Sequence, residues 1–452
     1  MRRHKQLAAL VALGAATLAG GVAAADRAPQ RRPRSAPTGL APAAPSRAAA
    51  LAESEIRDRD IAFYEARAAA DPESAGDRSQ LAVLYLRRGR ATGDFADYAR
   101  AERVARRSLA LRTGHNAQTF GLLASALLAR HAFAEALAVA RTADSLDPGV
   151  PAHVALLAEI ELETGDYDAA RRHFSSIAFN GEDFTLAARL ARWHELTGHV
   201  DVARQLLRLA ASKAGERDDL PREEVSWFYY RLGDLDARRG DLEAAEASFR
   251  RGLTIFPEDY RILSGLARLA AARQRWADAI DYGNQAIAIQ LEPGTLGTIS
   301  EAYAALGDTA LAAQYARAMT GSALVQPGPI HRAWGLFLLD HGTARDAGRV
   351  LARCRAEMRM RRDVYGYDLL AWALYKQGRP ADARVAMRHA LAQHTEDAQL
   401  FYHAGMIERA LGDTAAARNY LQRALATNPY FGGTQPAIAR AALNALGGPG
   451  RV

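Results

Sequence analysis

Histidines are the residues of this 452-residue chain that most directly suggest metal chemistry. Two pairs of them lie five residues apart, His194 with His199 and His389 with His394, and His403 follows farther along. Two metal ligands on one helical face need a spacing of three or four residues, as in zinc sites built on a helix. We therefore predict no metal site among the histidines.

Nucleophilic and phosphate chemistry also lack their usual patterns. The chain has no Gly-x-Ser-x-Gly turn, and its one cysteine, Cys354, lies where a small buried residue is expected. Glu159 and Glu163 lie four apart, which is typical of an ordinary solvated helix face. The scattered glycines at Gly93, Gly114 and Gly121 form no phosphate-binding loop. The sequence predicts no enzyme and no cofactor.

An alanine that recurs at nearly constant spacing organises most of the chain. It follows an apolar residue by three positions, as in Phe133-Ala134-Glu135-Ala136. Its successive spacings are 34, 33, 42, 34, 33, 35, 36 and 34 residues, for Ala136, Ala170, Ala203, Ala245, Ala279, Ala312, Ala347, Ala383 and Ala417. A period this regular predicts a solenoid, in which each unit buries its apolar face against its neighbours.

Each unit is predicted to be two amphipathic helices with a short turn between them. In the unit from Ser226 to about Asp259, Gly240 suits the end of the first helix, because a left-handed conformation is cheap only for glycine. Ala245 allows the two helices to cross closely. Pro257 ends the second helix, since it lacks an amide donor.

This pattern resembles the tetratricopeptide repeat. That family's unit has an alanine early in its second helix, a second small residue seven positions later, and a closing proline. Here the closing proline is found three times, at Pro148, Pro257 and Pro429. The second small position holds Ala143, Ala210, Ala286, Ala390 and Ala424, with Ile177, Gly252, Met319 and Cys354 as variants. The resemblance implies an all-α right-handed superhelix, with nine units over residues 117–431.

The ends of the repeat region depart from the pattern. A divergent tenth unit with further N-terminal helices is expected over residues 51–116, with a long turn from Arg90 to Asp97. The 42-residue spacing contains a polar insertion at 215–221, which we interpret as an extended loop or longer helix ends. A capping helix and tail are predicted over 432–452, with the helix at 436–446. In all we expect about ten helix pairs.

The N-terminus has the layout of a secretory signal. Basic residues precede an apolar run from Leu7 to Val22, and Ala23-Ala24-Ala25 supplies a small-residue cleavage site. We predict a signal peptide over 1–25 and a disordered tether rich in Ala, Pro and Arg over 26–50. The arginines after Asp26 disfavour export, so an uncleaved membrane anchor is the alternative. The exported protein would be periplasmic or secreted.

The net charge of +7 comes entirely from the N-terminal segment. Residues 1–50 hold eight Lys or Arg and one acid, so residues 51–452 carry 50 basic and 50 acidic side chains. A solenoid without net charge lacks the basic surface that contacts the phosphates of a nucleic acid, so nucleic-acid binding is not expected. Arginine outnumbers lysine 55 to 3, which suggests a GC-rich bacterial genome. The stretch from Cys354 to Phe431 resembles the closing part of exported bacterial tetratricopeptide proteins.

The resemblance implies that first helices line a concave groove that binds a protein or peptide. Aromatic and arginine side chains are good anchors for such binding. The candidate partner-binding residues on these faces are Tyr365, Asp368, Trp372, Tyr375, Gln399, Tyr402, Met406 and Arg409, with Trp227, Tyr230 and Asp234 in an earlier unit. An alternative interpretation is that a superhelix packs these rings against the next unit.

The sequence therefore predicts a non-enzymatic interaction scaffold of the bacterial cell envelope, with its partner in the groove. The alternative is an accessory subunit of an export or polysaccharide-assembly machine that docks through its convex face or loops. A catalytic function would require a deep pocket that gathers Asp368, Arg409 and a histidine.

Overall fold

The computed structural model describes residues 47–326 and 330–447, all of them within the unit Pro45–Val452. The predicted signal peptide and most of the predicted tether lie outside these residues. Helix α1 (Arg47–Ala70) begins four residues before the expected end of the tether, so residues 47–50 are helical and that predicted boundary is too late. None of the helices described is long and apolar enough to cross a membrane.

Ten helix pairs follow α1 in the described part of the chain, and the two helices of a pair pack against each other. This confirms the predicted all-α solenoid of about ten pairs. The first five pairs are α2 (Ala75–Thr92) with α3 (Phe95–Leu111), α4 (Ala117–Ala129) with α5 (Phe133–Leu146), α6 (Pro151–Thr164) with α7 (Tyr167–Ser176), α8 (Phe184–Leu196) with α9 (Val200–Gly215), and α10 (Arg222–Arg238) with α11 (Leu242–Ile255).

The second half of the solenoid continues in the same way and ends in a single helix. Helix α22 (Gln435–Gly447) packs on the last pair, at the place where a capping helix was expected. The last five pairs are α12 (Tyr260–Ala272) with α13 (Trp276–Ile289), α14 (Pro293–Ala305) with α15 (Thr309–Val325), α16 (Arg332–His341) with α17 (Ala344–Glu357), α18 (Val364–Lys376) with α19 (Pro380–Leu391), and α20 (Ala398–Ala410) with α21 (Thr414–Thr427).

The recurring alanine lies at the close crossing within each pair. All nine of these alanines are buried, and seven of them have no exposed surface. Phe249 shows why neighbouring positions must also be small, because its ring lies against two first helices. A Cβ atom added at Gly233 or Gly265 would lie 2.6 Å from that ring. Small residues therefore let one large ring seal the space between successive units.

A Gly-Asp dipeptide forms the turn within five of the pairs. The glycine takes a left-handed conformation that ends the first helix, with φ of +88° at Gly165. The following aspartate caps the second helix, and Asp166 accepts a hydrogen bond from the Ala169 amide at 3.1 Å. The same motif occurs at Gly93-Asp94, so the long turn predicted from Arg90 to Asp97 is wrong: α2 continues to Thr92.

The 42-residue spacing is explained mainly by longer helices. Helix α9 reaches Gly215, and α10 has 17 residues, so only a short link separates them. Of the two interpretations, the loop describes residues 216–221, whereas the longer α9 and α10 account for most of the additional residues in the spacing.

Hydrogen bonds at the ends of first helices join successive superhelical turns of the solenoid. The last carbonyl groups of a helix lack intrahelical partners. Here the Arg362 amide donates to the Thr164 carbonyl at 2.9 Å, and the Thr395 hydroxyl donates to the Leu196 carbonyl at 2.5 Å. The Asn428 side-chain amide donates to the Ala237 carbonyl at 3.1 Å. Partners separated by about six units thus satisfy the exposed carbonyls of three consecutive first helices.

Candidate functional site

An ion-pair network runs along the first helices from α6 to α12. Arg192 lies between two carboxylates, with Glu195 at 3.0 Å and Glu163 at 3.7 Å. Farther along, Asp234 pairs with Arg238 at 3.1 Å and with Arg268 at 3.0 Å. Together with Arg231, these residues connect four successive units, and we call them the inner network.

Glu195 is the most enclosed member of the inner network, with 4 % of its side chain exposed. It contacts Arg192, Arg231 and Arg238, the second of these at 3.1 Å. Burial alone would raise the pKa of this carboxyl, but the three guanidinium groups outweigh burial and lower the pKa to about 2. A carboxylate held ionised in this way does not serve as a general acid or base near neutral pH.

Tyr365 brings the next turn of the solenoid into contact with the inner network. Its hydroxyl lies 3.4 Å from the Arg238 guanidinium and 3.4 Å from the Asp397 carboxylate. The guanidinium carbon of Arg332 lies 4.8 Å from the centre of the ring, and that of Arg192 lies 5.8 Å away. Burial, together with Asp397, raises the pKa of Tyr365 to about 12. This tyrosine is therefore neutral and already surrounded by partners.

The C-terminal aromatic cluster, formed by Trp372 and Tyr402, is part of the hydrophobic core, and so is Met406. Trp372 is 1 % exposed, its ring stacks on His403 at 4.1 Å, and its indole nitrogen donates to Asp340 at 2.9 Å. Tyr402 and Met406 are 3 % and 8 % exposed. The alternative interpretation of these rings, packing against the neighbouring unit, agrees with this arrangement. A partner could reach them only if the surrounding helices moved.

Arg332, Asp368 and His403 form a polar triad in which the aspartate and the histidine are fully buried and the Arg332 side chain is 33 % exposed. The Asp368 carboxylate lies 2.6 Å from His403 Nδ1 and 2.7 Å from the Arg332 guanidinium, and neither the aspartate nor the histidine has exposed surface. Burial would raise the pKa of Asp368, but His403 and Arg332 together lower it. The triad has the residue types of an acid–base pair, but its aspartate and histidine have no contact with solvent.

Two family models, both described as the tetratricopeptide repeat, match the chain: one at residues 230–292 and 369–430, and the other at residues 127–185. These segments coincide with helix pairs that carry the recurring alanine. The chain contains tetratricopeptide repeats. No curated protein matches the sequence.

Solved structures of tetratricopeptide proteins are similar to this one at low identity. A tetratricopeptide repeat protein from Parabacteroides merdae is 17 % identical, covering 58 % of this chain and 98 % of its own, with a TM-score of 0.34. PilF of Pseudomonas aeruginosa is 16 % identical over 50 % of this chain and 97 % of its own, with a TM-score of 0.38. Yeast Tom70 is 14 % identical over 81 % of this chain and 94 % of its own, with a TM-score of 0.34.

The eleven predicted partner-binding residues of this tetratricopeptide protein differ in accessibility. Asp368, Trp372, Tyr402 and Met406 are buried. Only Arg409 is exposed. The other six are half-buried: Tyr365, Tyr375, Gln399, Trp227, Tyr230 and Asp234. Whether any of the eleven binds a partner stays a prediction.

Most of the half-buried members already have contacts within the chain. Tyr375 stacks on Trp372 at 4.8 Å, and Tyr230 stacks on Phe249 at 6.3 Å. Gln399 lies 3.2 Å from the Arg332 guanidinium. These contacts hold the side chains in place and leave little of each one free for a partner.

The gathering of Asp368, Arg409 and a histidine that a catalytic function would require occurs only in part. Asp368 contacts His403, but the arginine beside it is Arg332, and the Asp368–His403 pair is enclosed in the core. The pairing of His403 with Asp368 was not predicted, because ligand spacing along one helix does not reveal contacts between helices. His403 and Asp368 lie on different helices, 35 residues apart, close to one repeat length.

The remaining candidates for chemistry are structural in position. His194 and His199 lie on opposite sides of a turn, yet their rings meet edge-on at 5.6 Å. Burial raises the pKa of the Cys354 thiol to about 12, which keeps it protonated and unreactive. Within residues 47–326 and 330–447, no three His, Cys, Asp or Glu side chains are placed to hold a metal ion.

Proposed function

We propose that this tetratricopeptide protein is a non-enzymatic scaffold of the bacterial cell envelope that holds protein partners on its outer helices and exposed turns. Its family fold is that of a protein-interaction scaffold. The N-terminal pattern of a basic start, an apolar run and a small-residue cleavage site supports export and the envelope location.

We choose the outer helices over the groove because the charged residues of the inner network already pair with one another. Glu195 and Asp234 each contact at least two guanidinium groups. A ligand that took one of these arginines would leave a partly buried carboxylate with fewer partners, and complete loss of the partner of a buried carboxylate costs about 3–5 kcal/mol. The outer helices also carry exposed arginines that form no ion pair among the described residues, such as Arg103 and Arg107 on α3.

Binding in the groove remains the second candidate, because two arginines on its predicted surface are accessible. The Arg268 side chain is 51 % exposed, and Arg409 is exposed and forms no ion pair among the described residues. Both residues could contact a ligand without disturbing the buried part of the inner network.

A cross-linking pull-down from envelope fractions tests the proposal. It compares the native chain with Arg268→Ala/Arg409→Ala. The matched control, Arg103→Ala/Arg107→Ala, removes two exposed arginines from α3 that have no ion pair among the described residues. A discrete protein partner retained by the Arg268/Arg409 variant supports docking outside the groove.

The other outcomes separate the alternatives. Loss of the partner in the Arg268/Arg409 variant, with retention in the Arg103/Arg107 control, would place binding in the groove. Absence of a discrete protein partner for the native chain would overturn the scaffold function. Far-UV circular dichroism and the melting temperature of each variant verify that its fold is intact.

A further inference from the structure

Helix α17 and the link after it carry a concentrated positive charge. Residues 344–362 contain seven arginines and two carboxylates, Asp346 and Glu357. Residues 51–452 as a whole carry equal numbers of basic and acidic side chains. The excess of five positive charges in 19 residues is therefore local, and it is not a property of the whole solenoid.

The two carboxylates neutralise little of the exposed charge. Glu357 is buried, where it accepts a hydrogen bond from the Ile330 amide at 3.0 Å and lies 3.7 Å from Arg361. Asp346 pairs with Arg349 at 3.4 Å. In the described part of the chain, the exposed arginines that form no ion pair in this segment are Arg345, Arg353, Arg355, Arg359 and Arg362.

Three of the exposed arginines form a row along the helix. Arg345, Arg349 and Arg353 follow one another at four-residue spacing, which places them along one side of α17. Ala352 and Ala356 are exposed between this row and Arg355. Because these alanines are short, another helix can approach the backbone while arginines on both sides reach its carboxylates.

We propose that the arginine face, formed by Arg345, Arg349, Arg353, Arg355 and Arg359, docks an acidic helical segment of a protein partner. This inference rests on the scaffold function proposed above and names the surface and the partner's chemistry. Carboxylates at four-residue spacing on the partner would match the arginine row. Arginine is favoured at such surfaces because its planar fork binds a carboxylate through two hydrogen bonds.

An anionic lipid surface fits the same charge but matches the rest of the face less well. Helices that lie on membranes expose several large apolar side chains beside their basic residues. Here the only large apolar side chain exposed within residues 344–362 is Met360, at 67 %. A face of arginines separated by alanines favours a helix as its occupant.

A peptide-binding titration with the full chain tests the arginine face. The probe is an alanine-based helical peptide with glutamate at every fourth position, followed by fluorescence anisotropy, and a glutamine version is the control peptide. Arg345→Glu/Arg355→Glu is expected to weaken binding about tenfold or more, as reversal of two contacting charges does. Arg103→Glu/Arg107→Glu, with the same change in net charge, should bind like the native chain.

Several results would overturn the arginine face. Equal binding by the two charge-reversal variants would show only general charge attraction. Binding of the native chain to phosphatidylglycerol vesicles but not to the glutamate peptide would make it a lipid surface. If Arg345→Glu/Arg355→Glu alters the melting temperature, Arg345→Gln/Arg355→Gln replaces it and must still weaken binding more than Arg103→Gln/Arg107→Gln does.

The proposed scaffold function can fail separately from the arginine face. An envelope partner that cross-links equally to the native chain and to Arg345→Glu/Arg355→Glu would keep the scaffold and discard this face. Loss of that partner in the Arg345/Arg355 variant, with retention in the Arg103/Arg107 variant, would support both.

Discussion

The amide of Arg362 donates a hydrogen bond to the carbonyl oxygen of Thr164 at 2.9 Å, although 198 positions separate the two residues. Thr164 is the last residue of α6, so its carbonyl has no partner within its own helix. Gly165 follows with φ of +88° and no side chain, which allows the Arg362 backbone to approach. This joint between two superhelical turns, the hydrogen bond from Arg362 to Thr164, depends on both the helix end and the glycine.

Replacement of Gly165 by alanine tests this joint. A Cβ atom there would collide with the Arg362 carbonyl group, and the left-handed conformation itself costs an alanine about 1–2 kcal/mol. Gly307 is the matched control, since its φ is +85° and no atom lies within 4 Å of the added Cβ. Denaturant unfolding should show that Gly165→Ala loses about 1–3 kcal/mol more than Gly307→Ala. Equal losses of stability in the two variants would mean that the superhelical turns do not pack closely at Gly165.

Substitution of Ala245 by leucine tests the close crossing within a pair. Ala245 has no exposed surface, so extra methyl groups must displace the neighbouring helix, at a cost of about 1–3 kcal/mol. Ala415→Leu, at an exposed position of α21, is the control and should leave the melting temperature nearly unchanged. If Ala245→Leu is as stable as Ala415→Leu, the register assigned to the repeat is wrong.

The sequence predicted the fold well because the repeat signal is local. The recurring alanine, the Gly-Asp turn and the helix periodicity all act within one unit of about 34 residues. The joints between turns were not predicted, because they depend on residues such as Thr164 and Arg362, whose pairing follows from the curvature accumulated over about six units. The burial of Trp372 was left open for the same reason, since one sequence does not show which first-helix side chains the next unit covers.

Replacement of Trp372 by alanine should destabilise the C-terminal units. The sequence alone made Trp372 and Tyr402 candidate partner-binding residues, with packing against the next unit as the alternative. Since Trp372 is buried and stacked on His403, we expect the single substitution to cost about 3–5 kcal/mol. Arg409→Ala, at an exposed site, should change stability by about 0.5 kcal/mol or less. A melting temperature unaffected by Trp372→Ala would contradict the core assignment.

Glu195 should make stability depend on pH in the acidic range. Its pKa is lowered to about 2 in the folded protein, whereas a glutamate in an unfolded chain titrates near 4.3. The carboxylate therefore stabilises the fold above about pH 4.3, and this contribution is lost as the pH falls towards 2. The difference in stability between the native chain and Glu195→Gln should be largest near pH 7 and shrink below pH 4. Urea unfolding at several pH values measures it, and a constant difference would contradict the ion-pair assignment.

Site-specific photo-cross-linking in cells tests the central claim, docking on the outer surface of the scaffold, most directly. A photoreactive residue placed at Arg349, on the arginine face, is predicted to capture a discrete envelope protein. The same residue at Arg268, on the inner network, should capture none. Capture from position 268 and not from position 349 would contradict docking on the outer helices and return the binding site to the groove.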